Sequence, residues 1–205
     1  TLTRKADFAS DVFVVGETAK GVLTENEVEF VLGNEEPDEQ NTLTIDGNKA
    51  NVTVEVVGSV LFLTKKAIVN IYDGVTFQNN KKVGNEKTSG KYTVSYPARI
   101  GGSVAIVTGS ATLNIYGGNF KNNEVNTVSD ENNTGIQGGV IYNYSTTNIY
   151  GGTFEGNTAY FGGVFFNYRT MNIYKATIVD NTAASLGGAI YMPNSGAAFT
   201  YIGDE

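Results

Sequence analysis

The chain has 205 residues, which fits a single domain with a buried core. It contains 25 Gly, 12 Tyr and 11 Phe but no His and no Cys, which excludes Ser-His-Asp triads, Cys nucleophiles and thiolate or imidazole metal sites. Its 14 basic and 21 acidic residues give a net charge of -7, so we expect no nucleic-acid partner. No stretch approaches the ~18 apolar residues of a membrane span, so we expect no direct membrane insertion, and we predict neither a cofactor nor a metal.

The first 48 residues lack the motifs that recur later in the chain. They contain alternating polar and apolar runs at Asp11–Val15 and Val28–Leu32 and an acidic stretch at Glu35–Glu39. The end of a repeat fold exposes unpaired backbone and apolar core unless something covers it. We therefore predict an N-terminal cap and first coil over residues 1–48, and repeats over residues 49–205.

Three short motifs then recur in a fixed order. The first is Asn-Ile-Tyr, which begins at Asn70, Asn114, Asn148 and Asn172. The second is an aromatic or aliphatic residue followed three positions later by Asn, with copies at Phe77–Asn80, Phe120–Asn123, Phe154–Asn157 and Ile178–Asn181. The third is a Gly-Gly pair before an apolar run, with copies beginning at Gly101, Gly138, Gly162 and Gly187. Ordered self-similarity of this kind predicts a solenoid.

The spacing of the motifs gives the size of the repeat. Successive Asn-Ile-Tyr copies lie 44, 34 and 24 residues apart, so a unit of about 24 residues carries polar insertions near 81–100 and 124–137. Both insertions follow a Phe-x-x-Asn element, so we expect both at the same corner. At ~3.3 Å per residue, the unit accommodates three short strands and three corners. The sequence predicts an all-β fold, a parallel β-helix with three strands per rung and rungs about 4.8 Å apart.

A stacked coil places equivalent side chains in columns. The alternation in Thr112–Tyr116 predicts a strand with Leu113 and Ile115 facing inward and Tyr116 facing outward. The predicted buried columns are Ile71, Ile115, Ile149 and Ile173, and Phe77, Phe120 and Phe154. The predicted amide ladder is Asn80, Asn123, Asn157 and Asn181. The predicted outward aromatic row is Tyr72, Tyr116, Tyr150 and Tyr174.

These motifs resemble the repeats of the chlamydial-type polymorphic outer-membrane proteins, whose passenger domains carry Gly-Gly-Ala-Ile and Phe-x-x-Asn tetrapeptides. Gly187–Ile190 matches the first tetrapeptide outright, and Phe77–Asn80, Phe120–Asn123 and Phe154–Asn157 match the second. The resemblance covers roughly residues 70–195. It implies a right-handed β-helix on a cell surface that serves adhesion.

Two sets of residues are candidate sites. The Tyr row is a candidate ligand-binding surface because aromatic faces bind sugar rings, and the flat Thr and Asn rows beside it keep ice binding as a remote alternative. The candidate catalytic residues are Glu155 and Asp180, with Arg169 as an isolated base, because glycoside hydrolases use paired carboxylates and lyases use acidic clusters with a basic residue.

We hypothesise a non-enzymatic protein, extracellular or on the cell surface, that serves adhesion or acts as a structural stalk. It presents its corner loops and its Tyr, Asn and Thr face to a surface protein or glycan of a host or neighbouring cell. The alternative hypotheses are a polysaccharide lyase or hydrolase and a glycan-binding module of the β-helix type. Because no capping motif follows the last repeat, we also consider end-to-end self-association.

Overall fold

The structure is a computed structural model that describes residues 1–3, 12–16, 27–34, 42–49, 58–83, 101–126 and 136–203. Over these ranges the chain forms 22 short strands, all paired in parallel, and contains no helix long and apolar enough to cross a membrane. After β1 (Leu2–Thr3), coil 1 contains β2 (Phe13–Val15), β3 (Val28–Leu32) and β4 (Leu43–Asp46). Coil 2 contains β5 (Leu61–Leu63), β6 (Ala67–Ile71), β7 (Val75–Gln78) and β8 (Lys81–Val83).

The later coils repeat this order. Coil 3 contains β9 (Ala105–Val107), β10 (Thr112–Ile115), β11 (Asn119–Lys121) and β12 (Glu124–Asn126). Coil 4 contains β13 (Ile141–Asn143), β14 (Thr146–Ile149), β15 (Thr153–Glu155) and β16 (Thr158–Phe161). Coil 5 contains β17 (Phe165–Asn167), β18 (Thr170–Ile173), β19 (Thr177–Val179) and β20 (Thr182–Leu186). Coil 6 contains β21 (Ile190–Tyr191) and β22 (Ala198–Tyr201).

Strands of successive coils stack into four parallel sheets. Sheet 1 is β2-β5-β9-β13-β17-β21, sheet 2 is β3-β6-β10-β14-β18-β22, sheet 3 is β1-β4-β7-β11-β15-β19, and sheet 4 is β8-β12-β16-β20. The predicted parallel β-helix is confirmed. Coils 2 to 5 each contribute four strands, however, rather than the predicted three, because the residue before the Asn of each Phe-x-x-Asn element has a positive φ that bends the chain, and a further strand follows.

The N-terminal residues are continuous with these sheets. The strands β2, β3 and β4 pair with β5, β6 and β7 of the next coil, so the first coil begins at Phe13. The strand β1 adds one further strand to sheet 3 through its pairing with β4. The predicted cap over residues 1–48 stays a prediction, since much of that segment lies outside the described residues.

Both insertions leave the coil at the junction from sheet 4 to sheet 1. The chain ends β8 at Val83 and β12 at Asn126, and it re-enters the described coil at Gly101 and Ile136. The intervening residues 84–100 and 127–135 lie outside the described residues. Residues 81–83 and 124–126, which the sequence analysis placed within the insertions, are strands of sheet 4.

The core lies between the sheets and consists of side chains in columns. Ile71, Ile115, Ile149 and Ile173 share one register position, as do Phe77, Phe120 and Phe154. Each of the three Phe side chains is fully buried, and burying one contributes about 1.5–3 kcal/mol. Their rings stack with centroids 5.2 and 4.5 Å apart.

The Gly pairs lie where the chain enters sheet 1. One glycine per coil has a positive φ there: Gly102 (63°), Gly138 (67°), Gly162 (64°) and Gly187 (67°). Gly101 pairs with Gln137, so Gly102 and Ser103 occupy the positions of Gly138 and Gly139. The sequence alignment of Gly101 with Gly138 is therefore wrong by one residue, because Ser103 replaces the second glycine of the pair and its hydroxyl bonds Gly139 O.

Candidate binding surface

The outward tyrosines form a continuous stack along the corner between sheets 2 and 3. Each tyrosine directly follows a strand of sheet 2, and parallel coils place successive rings one above another. The ring centroids of Tyr72, Tyr116, Tyr150 and Tyr174 are 4.7, 4.9 and 4.6 Å apart, with interplanar angles of 9°, 8° and 9°. This spacing matches the strand spacing of a sheet, so the repeat itself sets the stacking distance.

The stacking decides which parts of these rings are available to a partner. The faces of Tyr116 and Tyr150 are each covered by a neighbouring ring, yet the two side chains remain 40% and 38% exposed. Their exposed parts are therefore ring edges and hydroxyls. The sequence hypothesis that sugars bind on the faces of the whole Tyr row does not fit this geometry at Tyr116 and Tyr150.

The tyrosine hydroxyls influence one another. Burial, the charges that Tyr174 and Tyr116 would carry, and a hydrogen bond with Tyr174 together raise the pKa of Tyr150 above its ordinary value. A phenol can both donate and accept a hydrogen bond, so the hydroxyls of the row can bond to one another or to a partner.

A second ladder runs beside the tyrosines on the outer face of sheet 2. The Nδ2 atoms of Asn114, Asn148 and Asn172 donate to Oδ1 of the Asn in the preceding coil, over 2.8, 2.9 and 2.9 Å. Asn70 at the start of the ladder donates to Glu29 Oε1 over 2.6 Å. These side-chain amides are hydrogen-bonded to one another, and the bonds hold the coils in register.

The Thr row on the same sheet is short. Thr112, Thr146 and Thr170 are in register, but Ile68 and Ala198 occupy this position in coils 2 and 6. A uniform Thr array is thus limited to three coils and lies next to bulky tyrosines. The ice-binding alternative finds no support in this arrangement.

A groove follows the Tyr stack at the corner between sheets 2 and 3. Its volume is about 420 Å³, and its floor includes Gly151 and Gly152. The residues after the tyrosines are Asp73, Gly117, Gly151 and Lys175. A Cβ atom at Gly117 would collide with the Asp73 carboxylate, and one at Gly151 would collide with Tyr116 O. At both positions the preceding coil therefore packs too closely for a side chain.

Charged side chains lie at the two ends of the groove. Asp73 is in coil 2, where its Oδ1 accepts a hydrogen bond from the backbone N–H of Gly118 at 3.0 Å. Lys175 is in coil 5 and is exposed. The groove therefore carries a carboxylate toward the N-terminal end of the solenoid and an ammonium group toward the C-terminal end.

Two of the candidate catalytic residues, Glu155 and Asp180, lie on adjacent coils at the corner between sheets 3 and 4, and Arg169 lies at another corner. Glu155 on sheet 3 forms an ion pair with Lys121, with Nζ 3.4 Å from Oε2. Asp180 follows β19 in the bend before sheet 4, with a φ of 54°. Arg169 lies between sheets 1 and 2, with its guanidinium 5.3 Å from the ring centroid of Tyr144. The structure thus does not bring Arg169 to the two acids.

The described part of the chain contains no cluster of side chains that could form a metal site. Within those ranges, no group of three or more His, Cys, Asp or Glu side chains is placed to hold a metal ion.

The amide ladder at the corner between sheets 3 and 4 is internal. Asn123 is fully buried, and its Oδ1 accepts hydrogen bonds from both N and Nδ2 of Asn80 over 3.1 and 2.9 Å. Its Nδ2 donates to Asn157 Oδ1 and to Phe77 O over 2.9 and 3.1 Å. Asn157 and Asn181 repeat these contacts in the next coil. The ladder therefore satisfies buried backbone groups and is a structural feature rather than a binding site.

Sequence reasoning missed a second buried amide pair, between sheets 1 and 2. Asn143 and Asn167 are fully buried, and Asn143 Nδ2 donates to Asn167 Oδ1 and Thr170 O, each over 2.8 Å. The available signal was the dipeptide Asn-Tyr, which occurs at both positions 24 residues apart. Tyr144 and Tyr168, which follow these asparagines, stack with centroids 4.7 Å apart.

Comparison with known proteins identifies one repeat. The model of the Chlamydia polymorphic membrane protein (Chlamydia_PMP) repeat matches residues 175–193. The matched stretch contains β19, β20 and β21, together with the Ile178–Asn181 and Gly187–Ile190 motifs. The resemblance inferred from the motifs is confirmed over these residues. Comparisons with curated proteins and with solved structures find no match for the chain.

Proposed function

We propose that the chain is part of a non-enzymatic bacterial surface protein, located outside the cell, that serves adhesion or acts as a stalk. The observation that carries the proposal is the matched repeat at residues 175–193, which lies in register with the preceding coils of the same solenoid. The partner is a surface protein or glycan of a host or neighbouring cell.

The corner between sheets 2 and 3 supports a role in presentation. The Tyr stack and the Asn ladder run side by side over four coils, and each contact joins two coils. Side chains fixed in this way lose little conformational entropy on binding, because folding has already ordered them. Exposed Tyr edges and hydroxyls are also typical of binding surfaces, where they combine apolar area with hydrogen bonding.

The placement of the acids favours a non-enzymatic role. Glycoside hydrolysis requires two carboxylates that flank one bond, and a lyase requires a base beside its acidic cluster. Glu155 is paired with Lys121, and Arg169 lies at another corner.

Binding of the fluorescently labelled chain to bacterial and eukaryotic cells tests the proposal. We expect saturable binding that falls about tenfold or more in the double variant Tyr116→Ala/Tyr150→Ala, because both exposed rings of the presented corner are removed. The matched control is Thr158→Ala/Thr182→Ala, a register pair on sheet 4, which should bind as the wild type does. Equal binding by the two double variants would contradict a role for the Tyr corner.

A screen for polysaccharide cleavage is the companion experiment. We expect no turnover of neutral or acidic polysaccharides by the wild-type chain. Cleavage that is abolished in Glu155→Gln but retained in Lys121→Gln would replace the proposal with a lyase or hydrolase.

A further inference from the structure

We propose that the groove beside the Tyr stack binds a short saccharide that carries one acidic group. The inference rests on the proposed function, since it assigns a ligand class to the face that meets the partner. The groove volume of about 420 Å³ falls within the range of about 300–1,000 Å³ that is usual for small-molecule sites.

The lining is suited to a ligand rich in hydroxyl groups. Thr153 and Thr177 are the outward residues that begin β15 and β19, and they face the groove in register from one side. Asn119 holds the same register position in coil 3. Thr hydroxyls and Asn amides both donate and accept hydrogen bonds, as sugar hydroxyls do. Glycines form part of the floor, so a ring can approach the backbone closely.

One tyrosine of the stack lines the C-terminal end of the groove. Tyr174 is the last ring of the stack, and Ile202, whose N–H donates to Ile173 O, takes the equivalent position in the next coil. Tyr201, which is 66% exposed, lines the same groove. Tyr174 can therefore offer its ring edge and hydroxyl to a sugar in the groove, whereas Tyr116 and Tyr150 do not line it.

The charges at the two ends set the expected preference. Lys175 favours a carboxylate on the ligand at the C-terminal end, whereas Asp73 repels a second negative charge at the other end. A singly acidic saccharide satisfies both ends, and a polyanionic chain does not.

Binding to immobilised oligosaccharides of two to four units tests the assignment. The probes are a neutral set, a set with one uronic acid and a polyanionic set, and the dissociation constant of each bound probe is then measured by calorimetry. We expect the singly acidic set to bind best. In Lys175→Gln, affinity for that set should fall about tenfold, to the level of the neutral set.

Two matched pairs of variants locate the site. Tyr174→Ala should weaken binding about tenfold or more, whereas Tyr168→Ala, which removes a stacked ring at the corner between sheets 1 and 2, should leave it unchanged. Thr177→Trp should abolish binding by filling the groove. Val179→Trp places the same ring on an outward position of the same strand that does not line the groove, and it should bind normally.

Absence of binding to every probe, or equal affinity in both members of each pair, would overturn the assignment. If cell binding still depended on Tyr116 and Tyr150 in that case, the saccharide assignment would be rejected and the adhesion proposal would be retained. If the wild-type chain bound the saccharide but no cell, and Tyr174→Ala and Thr177→Trp lost saccharide binding, the saccharide assignment would be retained and the adhesion proposal would be rejected.

Discussion

The corner between sheets 3 and 4 keeps one geometry through the regular coils, whereas the corner between sheets 1 and 2 changes partway along the solenoid. At the first, residues Asn79, Asn122, Gly156 and Asp180 all take a left-handed conformation, with φ between 52° and 64°. Asn, Asp and Gly are the residues that tolerate it best. The next residue in the sequence after each of these four is an Asn of the buried ladder.

At the corner between sheets 1 and 2, two different turns are used. Coils 2 and 3 close it with main-chain hydrogen bonds from Ala67 N to Thr64 O and from Ala111 N to Thr108 O, over 3.2 and 3.1 Å. Coils 4 and 5 use a tighter turn, in which Asn143 Oδ1 accepts from Ser145 N over 3.2 Å. At the constant corner, between sheets 3 and 4, the same Asn-to-Asn bonds join all successive regular coils. At the variable corner, between sheets 1 and 2, an Asn pair joins coils 4 and 5, whereas coils 2 and 3 are closed by main-chain bonds.

The largest expected effect is loss of an internal ring from the constant corner. Phe120→Ala removes a fully buried side chain between Phe77 and Phe154 and should lower the free energy of unfolding by about 3–5 kcal/mol. Tyr144→Ala, at the variable corner, removes a partly exposed ring and should lower it by about 1 kcal/mol. Urea denaturation measures both. Similar losses in the two variants would contradict the contrast between the corners.

Removing an amide of the constant corner should have the next largest effect. Asn123→Ala leaves Asn80 N and Phe77 O without their hydrogen-bond partners in a buried setting, so we expect a loss of about 2–4 kcal/mol.

The control for this amide lies at the variable corner. Ser145→Ala removes one hydrogen bond, from the hydroxyl to Gly109 O over 3.2 Å, and should cost about 0.5–1.5 kcal/mol in urea unfolding. A loss in Ser145→Ala as large as that in Asn123→Ala would show that both corners depend equally on side-chain bonding.

Deletion of residues 127–136 should leave both corners intact. It removes ten residues, the difference between the offsets of 34 and 24, and so joins Asn126 directly to Gln137 in the register of Phe161. We expect a folded protein that is about 1–2 kcal/mol less stable, because buried Ile136 is lost.

Circular dichroism and urea unfolding measure the outcome of the deletion. As a control, deletion of residues 127–135 retains Ile136 and should be the more stable of the two. Aggregation or loss of the cooperative transition in both deletions would show that the loop is required for the coil to close.

The smallest expected effect concerns the outer Tyr stack, which lies at the corner between sheets 2 and 3 and so belongs to neither of the corners compared above. Because the pKa of Tyr150 is raised in the folded state, the folded chain holds this proton more tightly than the unfolded chain does. The resulting stability is complete below the ordinary pKa of 10.0 and is lost as the pH rises through the folded value. Urea unfolding from neutral pH upward should show this decline in the wild type and less of it in Tyr150→Phe. An equal decline in both would contradict it.

The sequence was sufficient for the register of the fold. A side chain that must stack on its own kind leaves a visible repeat, as Phe120 and Asn123 do, and this repeat led directly to the parallel β-helix. The Gly-Gly motif predicts the wrong register at Gly101, by one residue, because the small Ser103 side chain takes the place that glycine has in later coils.

Other features depend on the three-dimensional stacking of the coils, which cannot be derived from sequence motifs. The fourth sheet was missed because its strands β8 and β12 directly follow the Phe-x-x-Asn elements and were assigned to the polar insertions. The orientation of the Tyr rings also follows from the spacing of the coils rather than from the identity of the residues. The groove was missed because its lining residues come from successive coils, so they meet only through the stacking of the coils.

Disulfide formation between engineered cysteines tests the central claim, that equivalent residues stack once per coil. The chain has no native Cys, and Thr146 and Thr170 are directly paired on the outer face of sheet 2. Neighbouring parallel strands lie about 4.8 Å apart, within the range of about 4.4–6.8 Å that a disulfide spans between Cα atoms. We predict rapid intramolecular oxidation of Thr146→Cys/Thr170→Cys and little in Thr146→Cys/Asn172→Cys, where the Cα atoms lie about 8 Å apart. Equal oxidation of the two pairs, or faster oxidation of the second, would contradict the stacked register.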